Sequence, residues 1–367
     1  MISTPYIPVP PPRYGGTELI VHELVSGLRE LGHEVLLFTT GRNDAHARSL
    51  FAEPVWPPEL HQEVAHAAWA VAELDAADPP VDVIHAHCPT ALPLARFAAA
   101  PMIYTIHHPR GDELSAFYAL QRGARYVTIS ARQRRLMPEL GPDTAVVHHG
   151  LNPARYPLGA GGVEAVYLGR LAREKGPEVA MDVAHRAGVR LLVAGVPHRG
   201  DEEFYRAEIA PRRRRHPGAR LVGEVDHQEK LALLGRAGAL LFPIDWEEPF
   251  GLVMIEAMLC GTPVLAFARG AAPEIVDDGV TGWLCSGPNE MQARLEQLVR
   301  GGAGPGRGPG FDRRGCREHA IARFSRERMV SAYLECYRHA LAESDHAWDS
   351  GAGHSFAAES TAGDLVG

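Results

Sequence analysis

Two glutamates separated by seven residues carry the clearest chemical signal in this sequence. Glu248 and Glu256 stand in the apolar segment EEPFGLVMIEAMLCGTPVLAF, which spans residues 247–267. Acidic side chains are rare in an apolar run unless they meet a partner, because an unpaired charge is costly to bury. Glu248 lies just before a predicted helix and Glu256 lies more than one turn inside it, so the two carboxylates could bracket one elongated ligand. A capping acid and an ordinary helical acid remain the alternative for each glutamate taken alone.

The residues between the glutamates predict a helix start that can bind an anion. Pro249 restricts the approach to the helix, and Gly251 lets a ligand come close to the backbone. The N–H groups of Phe250, Gly251 and Leu252 would then point at a negative charge, which the helix dipole stabilises by roughly 0.3–1 kcal/mol.

Two other segments could add contacts to the same anion. The segment YLGRLAREKG, residues 167–176, ends a predicted strand with Arg170 and Lys175, and two cations above one sheet edge suit a diphosphate. Gly15 and Gly16 form a turn directly before a predicted helix, where a backbone without Cβ atoms can approach a ligand. Surface salt bridges and a plain turn are the alternatives for these segments taken separately.

Composition limits the classes of function. The chain has 367 residues, of which 46% are apolar and 22% charged, and this suits two ordinary globular domains. The formal net charge of −8 argues against a nucleic-acid partner. The one basic run, residues 212–215, is either a solvated helix end or a landing site for an acidic acceptor or a membrane surface. No apolar run reaches the ~20 residues that span a bilayer, so only peripheral membrane contact stays open.

Several common motifs are absent. The five cysteines are scattered without a C-x-x-C pair, and no secretory signal is visible, which favours reduced thiols in a cytoplasmic protein. The sequence has no P-loop motif, no G-x-G-x-x-G after a strand and no H-E-x-x-H zinc motif. We therefore expect neither a metal nor a resident cofactor.

Strand–helix alternation runs twice along the chain, with a seam near residues 152–162, and predicts two doubly wound α/β domains. A cleft between them would collect the carboxyl ends of the strands, where such sheets bind ligands. We predict an N-terminal Rossmann-like domain, a C-terminal Rossmann-like domain, a C-terminal helix that packs back on the first domain, and a disordered tail; their ranges are 1–155, 156–324, 325–343 and 344–367.

The start of the chain is unusual for such a domain. A doubly wound domain normally opens with a central strand before its glycine turn, yet only MIST precedes the proline-rich loop PYIPVPPPRYGG. Either that strand is clipped short, or the natural chain begins before Met1. Near the other end, GGAGPGRGPG at residues 301–310 predicts a flexible surface loop.

Three ordered motifs resemble the retaining glycosyltransferases of the GT-B fold, family 4 type. The E-x7-E hallmark of that family stands here as EPFGLVMIEAMLCGTPV, the GRL…EKG segment matches residues 169–176, and the N-terminal P-x-Y-G-G-x-E matches residues 12–18. The resemblance implies two Rossmann-like domains facing across a cleft. It also implies sugar transfer from a nucleotide sugar of the UDP, GDP, ADP or dTDP type to an unknown carbohydrate, lipid or small-molecule acceptor.

The resemblance also implies roles for single residues. Arg170 and Lys175 would hold the donor diphosphate, which Gly15 and Gly16 approach from the other domain. Glu248 would lie by the hydroxyls of the donor sugar, and Glu256 would bind the ribose hydroxyls. The T-x-H motif of the family matches residues 105–107 and places His107 near the donor sugar. Backbone around Gly223 and Val225 would form the pocket for the base.

This sequence departs from the family pattern at two places. His108 fills a position that is often acidic or small, and the GG-x-P-E motif appears as GAAPE at residues 270–274, without its second glycine. These departures concern the shape of the sugar pocket rather than the fold. His85, His87, His148 and His149 also end predicted strands, and we interpret them as hydrogen-bonded core histidines rather than as a metal site.

Two other functions are compatible with the same architecture. A sugar-nucleotide epimerase would release free nucleotide and an altered sugar without an acceptor, and a phosphorylase would need a Schiff-base lysine for which the sequence offers no clear candidate. A non-catalytic sugar-nucleotide binder would bind without turnover. The presence of both glutamates together with Arg170 and Lys175 favours the transferase.

Overall fold

Two parallel β-sheets organise the chain, as the alternating pattern predicts. The computed structural model describes residues 1–13, 15–41, 47–300 and 310–349. The strands are β1 Leu37–Thr39, β2 Ala47–Ser49, β3 Ile84–Ala86, β4 Met102–Ile106, β5 Ala124–Thr128, β6 Ala145–Val146, β7 Ala165–Leu168, β8 Leu191–Ala194, β9 Ala219–Gly223, β10 Ala239–Phe242, β11 Val264–Phe267 and β12 Gly282–Cys285.

Helices connect and cover these strands. They are α1 Gly16–Glu30, α2 Leu60–Asp75, α3 Asp112–Leu120, α4 Ala131–Leu136, α5 Pro177–Ala187, α6 Glu202–Phe204, α7 Ala210–Arg215, α8 His227–Arg236, α9 Leu252–Leu259, α10 Ala272–Ile275, α11 Pro288–Arg300, α12 Arg313–Phe324 and α13 Arg326–Asp349. In α1, the apolar residues at helical spacing from Ile20 to Leu28 are buried. Leu31, which continues this spacing in the sequence, lies just past the helix end and is 62% exposed.

The C-terminal sheet has the strand order β12-β11-β10-β7-β8-β9. The first strand of this sheet in the chain is β7. Strands β8 and β9 follow on one side of β7, and β10 then pairs with its other side. In such a sheet, ligands bind outside the carboxyl ends of the two strands where the order reverses. That position lies after β7 and β10, and the segments carrying Arg170 and Glu248 follow these two strands directly.

The N-terminal sheet contains the missing first strand in a very short form. Ile2 makes parallel bridges with Phe38 of β1 and with Ala86 of β3, and Ile2 is completely buried. It therefore joins the pair β1-β2 to the sheet β3-β4-β5-β6. The alternation of strands and helices in both halves confirms the predicted fold class, an α/β protein with two doubly wound domains.

The chain crosses between the two sheets at two adjacent places. Leu151 and Ser325 form a parallel bridge, in which the Leu151 N–H donates to Phe324 O at 3.0 Å and the Arg326 N–H donates to Leu151 O at 2.9 Å. Helix α13 then packs on α1, where Gly27 leaves room for Val330. The last helix therefore returns to the N-terminal sheet.

Helix α13 runs to Asp349, beyond the predicted end at residue 343, so the first six residues of the predicted tail 344–367 are helical. The rest of that tail, and residues 301–309 of the predicted loop, lie outside the described residues.

The Gly-Thr-Pro motif after α9 is the docking site of α12. The Arg313 guanidinium donates to Thr262 Oγ1 at 2.7 Å and also to four backbone carbonyls, those of Gly159, Gly235, Ala237 and Cys260. Thr262 Oγ1 donates in turn to Leu234 O at 2.6 Å. One side chain thus ties α12 to three connections of the C-terminal sheet.

Replacing Arg313 with leucine is expected to lower the free energy of unfolding by about 3 kcal/mol or more. Its acceptors would lose their partner, and each buried polar group left unsatisfied costs ~1–3 kcal/mol. At roughly 2–4 °C per kcal/mol for domains of this size, a fall in Tm of about 6–12 °C follows. Arg314→Leu is the control, because Arg314 is exposed, and equal Tm values for the two variants would contradict this role.

Candidate active site

A cleft of about 460 Å³ lies at the reversal point of the C-terminal sheet. One wall comes from the N-terminal loop that includes Pro10 to Arg13 and from the glycine turn before α1. The opposite wall comes from the segments after β7 and β10 and from the starts of α8 and α9. At the mouth, Arg13 Nη1 lies 3.6 Å from Glu224 Oε2, an exposed pair that spans the two walls.

The glycine turn contacts the start of α9 across the cleft. A Cβ atom on Gly16 would lie 3.4 Å from Leu252 Cδ1, and a Cβ atom on Gly15 would lie only 2.8 Å from Pro11 Cβ. A larger residue at position 15 would therefore displace the loop. The structure thus brings Gly15, Gly16 and Leu252 together, as predicted, and all three line the cleft.

Glu248 sits in the cleft as the centre of a three-residue contact. Its carboxylate receives hydrogen bonds from the Lys175 ammonium and from the Trp246 indole N–H, the latter at 2.8 Å. Its backbone carbonyl accepts from the Ala271 N–H at 2.9 Å. The Glu248 side chain is only 13% exposed. The half-buried carboxylate is therefore paired and fixed in direction.

Arg170 and Lys175 line the same cleft, and both are paired with acids. Arg170 donates to Glu174, and its Nε lies 3.4 Å from Asp201 Oδ2. The side chains of Arg170 and Lys175 are 35% and 23% exposed. Both cations thus keep a face toward the cleft, from which they could reach an anion.

Glu256 forms a second, deeper ion pair. It receives hydrogen bonds from the Lys230 ammonium and from the Tyr156 hydroxyl, the latter at 3.2 Å, and its side chain is 5% exposed. Lys230 lies on α8, whose first turn is fixed by the reciprocal capping of Asp226 and Glu229. Burial is the main cause that raises the pKa of Tyr156, with the Glu256 charge second, so this hydroxyl stays a donor.

The start of α9 lies two residues later than predicted. The helix begins at Leu252, and Gly251 before it adopts φ +90°, where a Cβ atom would meet Met254 Cε at 2.7 Å. Gly251 and Leu252 line the cleft, but Phe250 does not. The Phe250 side chain is instead buried against the rings of His149 and Phe324. The prediction concerns the backbone N–H of Phe250, which the position of the ring does not test, so the anion site of three amides stays a prediction.

His107 is not among the residues that line the cleft. Its Nε2 is 2.8 Å from His87 Nδ1, and its ring stacks on that of His149 at 5.3 Å. Burial lowers the pKa of His107 to about 3, with a further contribution from His108, so the ring is neutral. His85 and His87 are buried and hydrogen-bonded, as the interpretation as core histidines expects. His149 is buried, but its Nδ1 has no hydrogen-bond partner among the described residues. His148 differs from the expectation, because its side chain is 31% exposed and pairs with Glu274.

Of the two residues predicted to form the base pocket, one lines the cleft. Val225 lines it together with its neighbour Glu224, whereas Gly223 is not among the lining residues and its carbonyl accepts from the Gly195 N–H at 2.8 Å. Among the described residues, no group of three His, Cys, Asp or Glu side chains could hold a metal ion. In the described part of the chain, no helix has the length and apolar character to cross a membrane.

Two cleft residues were missed by the sequence reasoning. Lys230 stands in the polar pattern of an amphipathic helix, where a lysine carries no special signal. Trp246 precedes Glu248 by two residues, and its position next to the E-x7-E segment was the one available indication. Lys230 donates a hydrogen bond to Glu256, and Trp246 donates one to Glu248.

The two domains also meet beside the cleft through Glu274 of the altered GAAPE motif. Glu274 accepts from the backbone N–H groups of Ala131 and Arg132 at 2.8 and 2.5 Å, and from His148 Nε2 at 3.2 Å. Burial acts to raise the pKa of Glu274, but these hydrogen bonds outweigh it and lower that pKa. Arg132 also forms two hydrogen bonds with Glu247, at 2.8 and 2.6 Å.

The cleft therefore brings the cations of Arg170, Lys175 and Lys230 together with the carboxylates of Glu248 and Glu256 and the first residues of α9. Lys175, Lys230 and Arg170 are each paired with an acid in this state. A polyanion such as a diphosphate would compete with these acids for the cations, since charge-assisted hydrogen bonds to phosphate are strong. The arrangement suits an elongated ligand with an anionic centre and hydroxyl groups at both ends.

Comparison with known proteins agrees with this geometry. The family described as glycosyl transferases group 1 matches residues 153–302, and glycosyltransferase family 4 matches residues 14–155. A glycogen synthase of Mycobacterium tuberculosis is 34% identical over 251 residues, or 60% of this chain and 59% of the relative. A D-inositol 3-phosphate glycosyltransferase of Mycobacterium bovis is 35% identical over 192 residues, or 48% of this chain and 37% of the relative. The chain thus spans less than two thirds of these curated relatives.

Solved structures share the fold over nearly the whole chain. A glycosyltransferase involved in avilamycin A biosynthesis is 26% identical with a TM-score of 0.66, covering 93% of this chain and 98% of its own. Sucrose-phosphate synthase from Thermosynechococcus elongatus is 21% identical with a TM-score of 0.75, and the match covers 93% of this chain and 99% of the synthase. Anabaena HepE, solved in complex with UDP and glucose, is 19% identical with a TM-score of 0.69, and the match covers 91% of this chain and 98% of HepE. Since the two family matches together extend over residues 14–302, the chain belongs to the family 4, group 1 glycosyltransferases with the GT-B fold.

Proposed function

We propose that this protein is a metal-independent, retaining glycosyltransferase that moves a sugar from a nucleotide sugar to a hydroxyl acceptor. The observation that carries the proposal is that Arg170, Lys175, Glu248 and Glu256 lie in one cleft at the reversal point of the C-terminal sheet. The diphosphate would lie between the cations and the start of α9. The sugar would extend toward Glu248, and the ribose toward Glu256.

In this proposal, the cleft stabilises the charge that develops on the leaving diphosphate. Arg170, Lys175 and the N–H groups at the start of α9 would act as preorganised donors, and losing one such donor commonly costs ~2.7–4 kcal/mol of barrier. The cations and the helix start then take the place of a divalent metal. Closure of the cleft would exclude water, which otherwise competes with the acceptor.

Glu248 is assigned to orientation of the donor sugar rather than to nucleophilic attack. Its carboxylate is held by Lys175 and Trp246, so its direction is fixed before the donor arrives. From there it would accept hydrogen bonds from sugar hydroxyls and favour positive charge on the sugar ring. The acceptor would attack on the face that the nucleotide leaves, so that the anomeric configuration is retained.

A thermal-shift panel with UDP, GDP, ADP and dTDP, and with their sugars, is the first experiment. A ligand at 100 times its dissociation constant adds about 2.7 kcal/mol to apparent stability, so we expect one nucleotide to raise Tm by several degrees. UDP is the first to test, since Anabaena HepE was solved with UDP and glucose. If no nucleotide or nucleotide sugar shifts Tm, the proposed donor site is wrong.

Transfer with the selected donor is expected to persist in excess EDTA, because the proposed site needs no metal. The measurement is nucleotide release and product formation before and after chelation, with anomeric coupling constants of the product from NMR. Loss of transfer in EDTA that Mg²⁺ or Mn²⁺ restores would overturn metal independence. An inverted product would overturn retention, and an altered free sugar formed without acceptor would indicate an epimerase.

A further inference from the structure

Trp246 touches both of the charged groups that meet at the sugar end of the cleft. Its indole N–H donates to Glu248 Oε2 at 2.8 Å, and Lys175 Nζ lies 4.3 Å from the centre of its ring. An ammonium at that distance over a tryptophan face is stabilised by the cation–π interaction. The indole therefore holds a carboxylate with its edge and a cation with its face.

Hydrogen bonds hold the backbone before and after Trp246. The Asp245 N–H donates to Glu174 O at 3.0 Å, and the Glu248 N–H donates to Trp246 O at 3.0 Å. Glu174 itself pairs with Arg170. The loop after β10 is thus tied to the loop after β7, and the indole has a defined place between Lys175 and Glu248.

A diphosphate in the cleft would compete with Glu248 for the Lys175 ammonium. In the structure this ammonium is paired with Glu248, whereas the proposed function requires it to hold the leaving diphosphate. When the diphosphate takes the ammonium, the half-buried Glu248 carboxylate loses its cation. A half-buried carboxylate without a donor is costly and free to turn. The indole N–H of Trp246 is the donor that stays in place.

We propose that Trp246 is a positioning residue that keeps Glu248 oriented while Lys175 moves from Glu248 and the indole face to the donor diphosphate. This inference rests on the proposed transfer function and adds a residue to it. Trp246 acts through Glu248 and Lys175. Its loss is therefore expected to affect the chemical step more than the binding of the nucleotide.

The test compares Trp246→Phe with wild type and with Trp283→Phe. Phenylalanine keeps an aromatic face for Lys175 but removes the N–H. We expect kcat to fall about 10–100-fold while KM for the donor and the Kd of UDP change less than about 3-fold. Trp246→His, which restores an N–H donor on a ring, should recover part of kcat. Trp283 on β12 packs against Phe311 outside the cleft, so its variant should match wild type.

A binding measurement separates this inference from the proposed function. UDP should change the tryptophan fluorescence of wild type and of Trp283→Phe, because the ammonium leaves the indole face, and this change should be lost in Trp246→Phe. If wild type binds UDP but transfers no sugar, the proposed function is wrong. If wild type transfers sugar and Trp246→Phe has the kcat of Trp283→Phe, or loses UDP affinity and Tm together with kcat, the positioning role is wrong.

Discussion

Replacing Glu248 with alanine is expected to reduce sugar transfer by about 10²–10³-fold while nucleotide affinity stays nearly unchanged. The proposed task of Glu248 is to orient the donor sugar, and removal of one preorganised group at a reacting centre typically costs 10²–10³ in rate. The proposed diphosphate contacts of Arg170, Lys175 and the start of α9 would remain. Steady-state kinetics with the selected donor and calorimetric titration with its nucleoside diphosphate would measure both effects.

Glu247→Gln is the matched control for this prediction. Glu247 is the preceding residue, but its carboxylate points to Arg132 of the other domain and is 45% exposed. We expect this variant to keep most of its transfer activity, because an exposed ion pair contributes little. Strong residual transfer by Glu248→Ala would refute the role of Glu248, and so would equal losses in both variants.

Replacing Lys175 with methionine is expected to lower kcat/KM for the donor by about 10²–10³-fold and to weaken binding of the nucleoside diphosphate. Methionine keeps much of the side-chain length and removes the charge that would face the diphosphate. The half-buried Glu248 would also lose its cation, so kcat should fall together with affinity. Initial rates at varied donor concentration and a titration with UDP would separate the two contributions.

Arg173→Met is the control for Lys175→Met. Arg173 lies in the same short helical turn, but it is exposed and its guanidinium lies over the Phe204 ring at 5.1 Å rather than in the cleft. The substitution removes one positive charge from the same segment without removing a cleft residue. If both variants lost the same activity, general charge rather than a specific contact would explain the result.

The sequence predicted the fold and the centre of the site because both depend on local patterns. Buried parallel strands are short apolar runs, and the catalytic loops of such sheets follow their carboxyl ends, so Arg170, Lys175, Glu248 and Glu256 could be assigned to one edge. The glycine turn at Gly15 was predicted to face the same ligand for the same reason. The structure places these residues around one cleft.

Tertiary contacts decide what the sequence does not show. His107 was assigned from its motif, and only the structure shows that its ring packs on that of His149 and is not part of the cleft lining. The packing of the Phe250 ring on His149 is likewise visible only in the structure. Lys230 and Trp246 were missed because their significance comes from partners on distant segments. The first strand was in doubt because a single bridged residue, Ile2, leaves almost no pattern in the sequence.

The bridge between Leu151 and Ser325 has a consequence for motion. The two connections between the lobes lie side by side and are hydrogen-bonded to each other, so they can act as a single hinge rather than as two separate tethers. Opening of the cleft would then be a rotation of one lobe relative to the other about a single axis at this bridge. It would separate Glu274 from Ala131 and Arg132 on the cleft side while α13 stays with the N-terminal lobe.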